Sequence, residues 1–170
     1  MLYLIDANVL MTAHNTYYPL DSVPEFWDWI LDRAEAGVIK MPLEIFEEIK
    51  DGGTDEEKDL LYAWVADPGT KKKLVLNEDV DPEHVKTCTN KGYAPDLTDN
   101  ELEQIGRDPF LIAYAMVALK ERCVVTNEVS SPRKIRQNRR IPDVCSDLGV
   151  ICCNTFAMTK ALGFNTGWKK

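Results

Sequence analysis

The sequence predicts an α/β fold built on an open parallel sheet, and three stretches of the chain predict it. Met1-Leu2-Tyr3-Leu4-Ile5 is a short unbroken apolar run ending at Asp6, and Cys123-Val124-Val125-Thr126 is a second one shortly before Glu128. Runs of this length without polar alternation mark strands covered on both faces. The third stretch, Asp108-Pro109 followed by Phe110 to Leu119, is apolar almost all round, which suits a helix in the interior of an α/β sandwich.

The remaining elements follow from local punctuation. After the first strand, a loop containing Tyr17, Tyr18 and Pro19 leads to Ser22-Val23-Pro24-Glu25, the spacing of a capping box with proline in the first helical turn. Phe26, Trp27, Ile30, Leu31 and Ala34 then recur at helical spacing until Gly37. Trp27 and Trp29 read as packing residues rather than a base-stacking platform. Val38 to Pro42 is a short extended link, and Leu43 to Lys50 a helix stopped by Gly52-Gly53, with Ile45 and Ile49 on one face and Glu44 and Glu48 on another. Thr54-x-x-Glu57 opens a helix carrying Leu60, Leu61, Trp64 and Val65. Lys71 to Asn77 reads as a strand or irregular connector, Pro82 to Cys88 as a short helix. Thr98-x-x-Glu101 opens a helix with Leu102 and Ile105, and Asp108 reads as the N-cap of the apolar helix, with Pro109 as its first residue.

A chain of 170 residues, 45% of them hydrophobic, suits a single domain spanning 1–170 with a substantial core. Cys88, Cys123, Cys145, Cys152 and Cys153 are odd in number and form no C-x-x-C pair, as expected of reduced, mostly buried thiols in a cytoplasmic protein. Nothing is apolar for long enough to span a bilayer, and no export signal opens the chain, so no membrane partner is expected. No internal repeat suggests a solenoid.

A net charge of −8 and a pI near 4.8 exclude a protein that coats nucleic acid over its whole surface. A local basic stretch nevertheless holds Arg133, Lys134, Arg136, Arg139 and Arg140 directly after Glu128. Such a loop would hold the backbone of a polyanionic substrate beside an acidic site, or would merely balance an acidic surface; its position beside Glu128 gives weight to the first reading.

Four carboxylates, Asp6, Glu48, Asp108 and Glu128, sit where strands and helices hand over to one another. Ligands of an open parallel sheet bind at the carboxyl ends of its strands, so acids distant in sequence can converge there. Clustered acids repel and raise one another's pKa values, and a bound cation is the usual remedy; for oxygen donors this means Mg²⁺ or Mn²⁺.

These segments resemble a known family. Leu4-Ile5-Asp6-Ala7-Asn8-Val9-Leu10, Ile45-Phe46-Glu47-Glu48-Ile49, Asp108-Pro109-Phe110-Leu111-Ile112-Ala113-Tyr114-Ala115 and Val124-Val125-Thr126-Asn127-Glu128 are similar to the ordered acidic motifs of PIN-domain ribonucleases. Tyr17-Tyr18-Pro19, Phe26-Trp27-Asp28-Trp29, Ile141-Pro142-Asp143-Val144-Cys145 and Cys153-Asn154-Thr155-Phe156 further resemble the DUF4411 branch of PIN-like proteins. The last acid is Glu128 where many PIN domains carry Asp, and the second acid falls on Glu48, with Glu44 and Glu47 as alternatives.

The resemblance implies a three-layer α/β/α sandwich around a central parallel sheet of about four or five strands. It also implies metal-dependent endonucleolytic cleavage of single-stranded RNA, as by the toxin of a toxin–antitoxin pair, with a cognate antitoxin as partner and a homodimer as a further possibility. Asp6, Asp108 and Glu128 would then ligate Mg²⁺ or Mn²⁺, and Glu48 would ligate through water or orient the attacking water. Asn8 and Thr126 would support the ligands by hydrogen bonds. Asp143 is either an extra acid or a helix cap.

Three rivals stand beside this reading. A haloacid-dehalogenase-type phosphatase needs a second Asp where the chain has Asn8. A zinc site from Cys145, Cys152 and Cys153 lacks the ligand spacing of a structural knuckle. The serious competitor is a catalytically inactive PIN-like scaffold that binds RNA or a partner protein. His14 and His84, the only histidines, form no plausible acid–base pair, which disfavours a metal-free ribonuclease.

Overall fold

β1 (Leu2–Ile5), β2 (Ile39–Lys40), β3 (Arg122–Val125) and β4 (Ile151–Cys153) form an all-parallel sheet in the order β2-β1-β3-β4. They belong to a computed structural model that describes residues 1–52 and 59–169. Helices flank this sheet in a three-layer α/β/α arrangement, the class the sequence predicts. The register sets Tyr3 beside Ile39, Ile5 beside Val125, and Val125 beside Cys153. From β1 the chain steps outward to β2, whereas from β3 it steps the other way to β4. The reversal makes β1 and β3 the topological switch point, where a crevice opens beyond their carboxyl ends.

The helices follow in chain order: α1 (Ala7–Thr12), α2 (Pro24–Glu35), α3 (Leu43–Gly52), α4 (Leu60–Ala66), α5 (Pro68–Leu74), α6 (Pro82–Thr87), α7 (Asp99–Ile105), α8 (Asp108–Met116), α9 (Ile141–Leu148) and α10 (Thr155–Ala161). α8 packs against β1 and β3, α2 against β2, and α9 against β4. Phe26, Trp27, Trp29 and Ile30 of α2 are buried with Leu4, Ile5, Leu111, Ile112 and Val124 in one core, so both tryptophans pack as expected. The Trp27 indole N–H donates to the Tyr18 carbonyl at 2.8 Å. π-helical turns follow α1 (Ala13–Tyr17) and α6 (Cys88–Tyr93).

Several local expectations change. The Ser22 capping box does not form. Ser22 and Val23 N–H both bond to the Pro19 carbonyl, a turn that leaves Val23 as the N-cap. Gly37, at φ +73, does end the turn after α2, and the link that follows is the short strand β2. Lys71 to Leu74 is helix, not strand. Asp67 caps α5 by accepting the Thr70 N–H at 2.7 Å and Pro68 occupies its first position, a start signal that carries the helix through the lysines to Leu74; beyond it the expected connector is found, with Val75 in an isolated parallel bridge to Met41. The Thr54-x-x-Glu57 box lies outside the described residues; α4 is capped instead by Asp59, which accepts from the Leu61 and Tyr62 N–H groups. The Thr98–Glu101 box forms as expected.

Candidate active site

Asp6 follows β1 directly, and its N–H still reaches the Val125 carbonyl at 2.9 Å, so the strand delivers it to the switch point. Its side chain is buried, and its Oδ2 accepts from the Thr126 hydroxyl at 2.8 Å and from the Asn8 amide. Thr126 in turn accepts from Asn8 Nδ2 at 2.9 Å and from the Glu128 N–H at 3.2 Å, while Asn8 Oδ1 accepts the Asn127 N–H at 2.9 Å. Register explains the closure. Ile5 and Val125 are paired, so the next residues on the two strands, Asp6 and Thr126, emerge side by side.

Asp108 reaches the same crevice from α8, which packs on β1 and β3 and leads into β3, so its first turn stands at the carboxyl edge of the sheet. The capping role expected of Asp108 is not observed. Arg107 is the N-cap, Asp108 is the first helical residue, and no side chain caps the end. The Asp108 carboxylate faces inward instead, where Oδ2 accepts from the Tyr93 hydroxyl at 3.4 Å. Tyr93 ends a π-helical turn held by Arg139, which donates to the Gly92 carbonyl at 2.5 Å. Gly92 has no room for a side chain, since a Cβ there would lie 2.5 Å from Val144 Cγ1.

Of the three alternatives on α3, only Glu48 faces the site. It shares a groove of about 350 Å³ with Asp51, Arg107 and Asp108. Glu47 pairs with Lys71 at 3.0 Å, and Glu44 lines a separate groove of about 820 Å³ beside Tyr114 and Glu78. Arg107 braces α3 against α8 through the Glu44 carbonyl at 2.7 Å and Asp51 at 2.6 Å.

The electrostatics carry the signature of converged acids. Burial pushes Asp6 up to about 7, and Glu48 and Glu128 push in the same direction against the lowering effect of the Thr126 bond. Burial raises Asp108 to about 8, reinforced by Asp6, Glu128 and Glu48. Glu48 is also raised, by desolvation first, with Arg107 opposing. Burial and the nearby Asp108 charge raise the Tyr93 phenol, so it stays protonated as a donor. Carboxyls raised in this way hold their protons tightly, and a bound cation would take the place of those protons.

The family model described as "Domain of unknown function (DUF4411)" matches residues 3–166, nearly the whole chain. The chain belongs to the DUF4411 family. Among curated proteins and among solved structures, none matches it.

Not every expected residue of this DUF4411 chain joins the crevice in the same way. Glu128 is turned toward the following loop, where its Oε1 accepts from Arg140 at 2.9 Å and its Oε2 from the Ile141 N–H at 2.8 Å. No group of three or more His, Cys, Asp or Glu side chains among the described residues stands close enough to hold a metal ion. Most cations of the basic loop are paired with acids from other segments of the chain. Arg136 binds Glu101 at 2.7 Å and Asp96 at 2.8 Å, Arg139 binds Asp147 at 2.5 Å, and Arg140 binds Glu128. Arg133 and Lys134 are exposed and form no ion pair among the described residues.

Asp143 is neither a cap nor part of the acid cluster. It accepts from the Ser130 hydroxyl at 2.5 Å and the Ser131 N–H at 2.7 Å. Although burial pushes the other way, these bonds and Arg139 hold its carboxyl below the usual range. His14 accepts the Leu20 N–H at 3.3 Å, and His84 lies 3.5 Å from Asp81. All five cysteines are free; Cys123 and Cys153 of β3 and β4 stand 3.5 Å apart. Sequence reasoning missed Tyr93, which reaches Asp108 only through a tertiary contact. It also missed the link of Asn127 to Thr155, whose hydroxyl donates to Asn127 Oδ1 at 2.8 Å. No helix among the described residues is long and apolar enough to cross a membrane.

Proposed function

We propose that this DUF4411 protein is a divalent-metal-dependent endoribonuclease that cleaves single-stranded RNA and acts as the toxin of a toxin–antitoxin pair. The observation that carries the proposal is the convergence of Asp6 and Asp108 at the β1–β3 switch point, where burial above all, with neighbouring carboxylates adding to it, raises them to about 7 and 8. The similarity of the four acidic segments to PIN-domain motifs supports it, and a cognate antitoxin protein is the partner that reading entails.

The donor types fit a hard cation. Every ionisable group of the cluster offers oxygen, the ligand of Mg²⁺ and Mn²⁺. Asp6, Asp108 and Glu128 would hold the ion, which requires Glu128 to turn from Arg140 into the crevice. When bound, such an ion lowers the pKa of water and neutralises charge on the phosphate and the leaving 3′-oxygen. The protein's own groups do the positioning. Thr126 and Asn8 fix Asp6, Tyr93 donates to Asp108, and Glu48 at the rim would orient the attacking water.

A second reading, a PIN-like scaffold that binds RNA or a partner without cutting, is favoured by one specific feature: Arg140 and the Ile141 N–H satisfy Glu128 without a metal. Cleavage separates the two. Purified protein, freed of any bound partner and given Mn²⁺ or Mg²⁺, is expected to cut a mixed pool of single-stranded RNAs. Asp108→Asn is expected to lower the rate on the order of 10²-fold or more with the fold intact. Because Asp108 does not cap α8, the substitution leaves the helix end as it is. An uncut pool in both metals would favour the scaffold.

A further inference from the structure

Tyr17 and Phe156 form an aromatic pair that the carboxylate site does not use. Each is 46% exposed, yet their rings are fixed edge to face at 4.9 Å. The neighbouring aromatics are accounted for by core packing, since the partly buried Tyr18 and Phe164 pack on the buried Phe26 and Trp29. Two large rings in contact, each nearly half open to solvent, present an apolar face.

Their place in the fold ties them to the crevice. Phe156 is the second residue of α10, which starts just beyond the carboxyl end of β4. The residue before it, Thr155, is buried and donates to Asn127 Oδ1 through its hydroxyl at 2.8 Å and its N–H at 3.3 Å. Asn127 donates its own N–H to Asn8, and Asn8 bonds Asp6. A continuous set of hydrogen bonds therefore positions Phe156 relative to Asp6. On α10, Lys160 lies four residues on, one turn along the same face, is exposed, and forms no ion pair among the described residues.

We propose that Phe156, backed by Tyr17 and flanked by Lys160, is a nucleotide subsite on which one base of single-stranded RNA stacks while Lys160 meets an adjacent phosphate. An aromatic face beside an uncompensated cation is the combination that single-strand binders use, because every base has a π-face and every linkage a charge. The choice of RNA rests on the proposed nuclease reading; the stacking itself does not.

Binding is measured in EDTA, by fluorescence anisotropy of a short labelled single-stranded RNA and of an abasic ribose-phosphate chain of equal length. Wild-type protein is expected to prefer the RNA, and Phe156→Leu, which keeps apolar bulk without a ring face, to weaken RNA binding about 5- to 100-fold while leaving the abasic chain nearly unaffected. Phe156→Trp should retain RNA binding, and Lys160→Ala should weaken both chains and flatten the salt dependence. RNA binding by Phe156→Leu equal to wild type, an equal loss on both chains, or no RNA binding by the wild type would each overturn the subsite. Ring-dependent binding without cleavage in Mn²⁺ would leave the subsite standing and remove the nuclease. Cleavage by a Phe156→Leu protein that binds RNA normally would do the reverse.

Discussion

Asp6 and Asp143 are both buried aspartates near the carboxyl edge of the sheet, 6% and 9% exposed, and their surroundings push them in opposite directions. Asp6 rises to about 7 because it is buried, and the nearby charges of Glu48 and Glu128 push the same way. Asp143 falls, against the effect of burial, because a serine hydroxyl and a backbone N–H donate to its carboxylate and the Arg139 charge lies nearby. The contrast extends to the regions around them. In the loop from Ser130 to Arg140 and its supports, most charges have a partner: Glu101 is pulled down to about 2, by Arg136 above all. In the crevice, carboxylates face carboxylates. Compensated charge is architecture, and uncompensated charge is a liability that persists in a fold when a ligand relieves it.

The largest effect expected from this difference is its response to metal and pH. Asp6 and Asp108 have folded pKa values above their unfolded ones, so the metal-free fold holds protons more tightly than the unfolded chain. Their contribution to stability is therefore full below about pH 4 and is lost as pH rises through about 7 to 8, with each tenfold difference in proton affinity between the folded and unfolded chain worth about 1.4 kcal/mol. A cation replaces those protons. At pH 7.5, Mn²⁺ at a hundredfold excess over its dissociation constant is expected to add about 2.7 kcal/mol, a rise of about 5 to 10 °C in Tm, and Asp6→Asn to abolish the response. Identical melts in Mn²⁺ and EDTA would remove the ligand from the comparison.

Asp143 should behave in the opposite sense. Its folded pKa is depressed, so its contribution is present above the unfolded value and lost as pH falls through the folded one. Asp143→Asn places an amide against the Ser130 hydroxyl or the Ser131 N–H and is expected to cost about 1–3 kcal/mol at neutral pH, while the Mn²⁺-induced shift in Tm stays as in the wild type. Loss of the metal response in Asp143→Asn would move Asp143 into the site.

How far the sequence foretells this depends on whether a feature is local. Asp6 and Glu128 are legible because each ends or follows an apolar run, and parallel topology does the rest. The Thr98 box is legible because its partners are three residues apart, yet the same spacing at Ser22 fails when the Pro19 carbonyl takes the competing N–H groups. α5 is hidden in the sequence because its lysines run straight into the apolar Leu74-Val75-Leu76, which draws attention from the Asp67-Pro68 start signal. The choice of Glu48 over Glu44 and Glu47 depends on how α3 is rotated against α8, through Arg107. Tyr93 and the Thr155–Asn127 bond arise from contacts between distant segments, and no period or motif announces them.

The smallest expected effect divides the basic loop itself. Arg133 and Lys134 are exposed without ion pairs among the described residues, whereas Arg136 is shared between Glu101 and Asp96. If free charge is what meets RNA, replacing Arg133 and Lys134 by alanine removes up to two phosphate contacts. The dependence of log Kd on log salt should then flatten by about 0.7 per contact, with Tm unchanged. Arg136→Ala should do the converse. It frees two acids, loosens the tie between the loop and α7, and lowers Tm while leaving the salt slope nearly as it was. The design isolates compensation from sequence, since both variants remove positive charge from the same few residues of chain. A salt slope that flattens equally in both variants would mean that RNA draws Arg136 away from Glu101, and that the loop is a single electrostatic surface rather than two free cations beside a clamp.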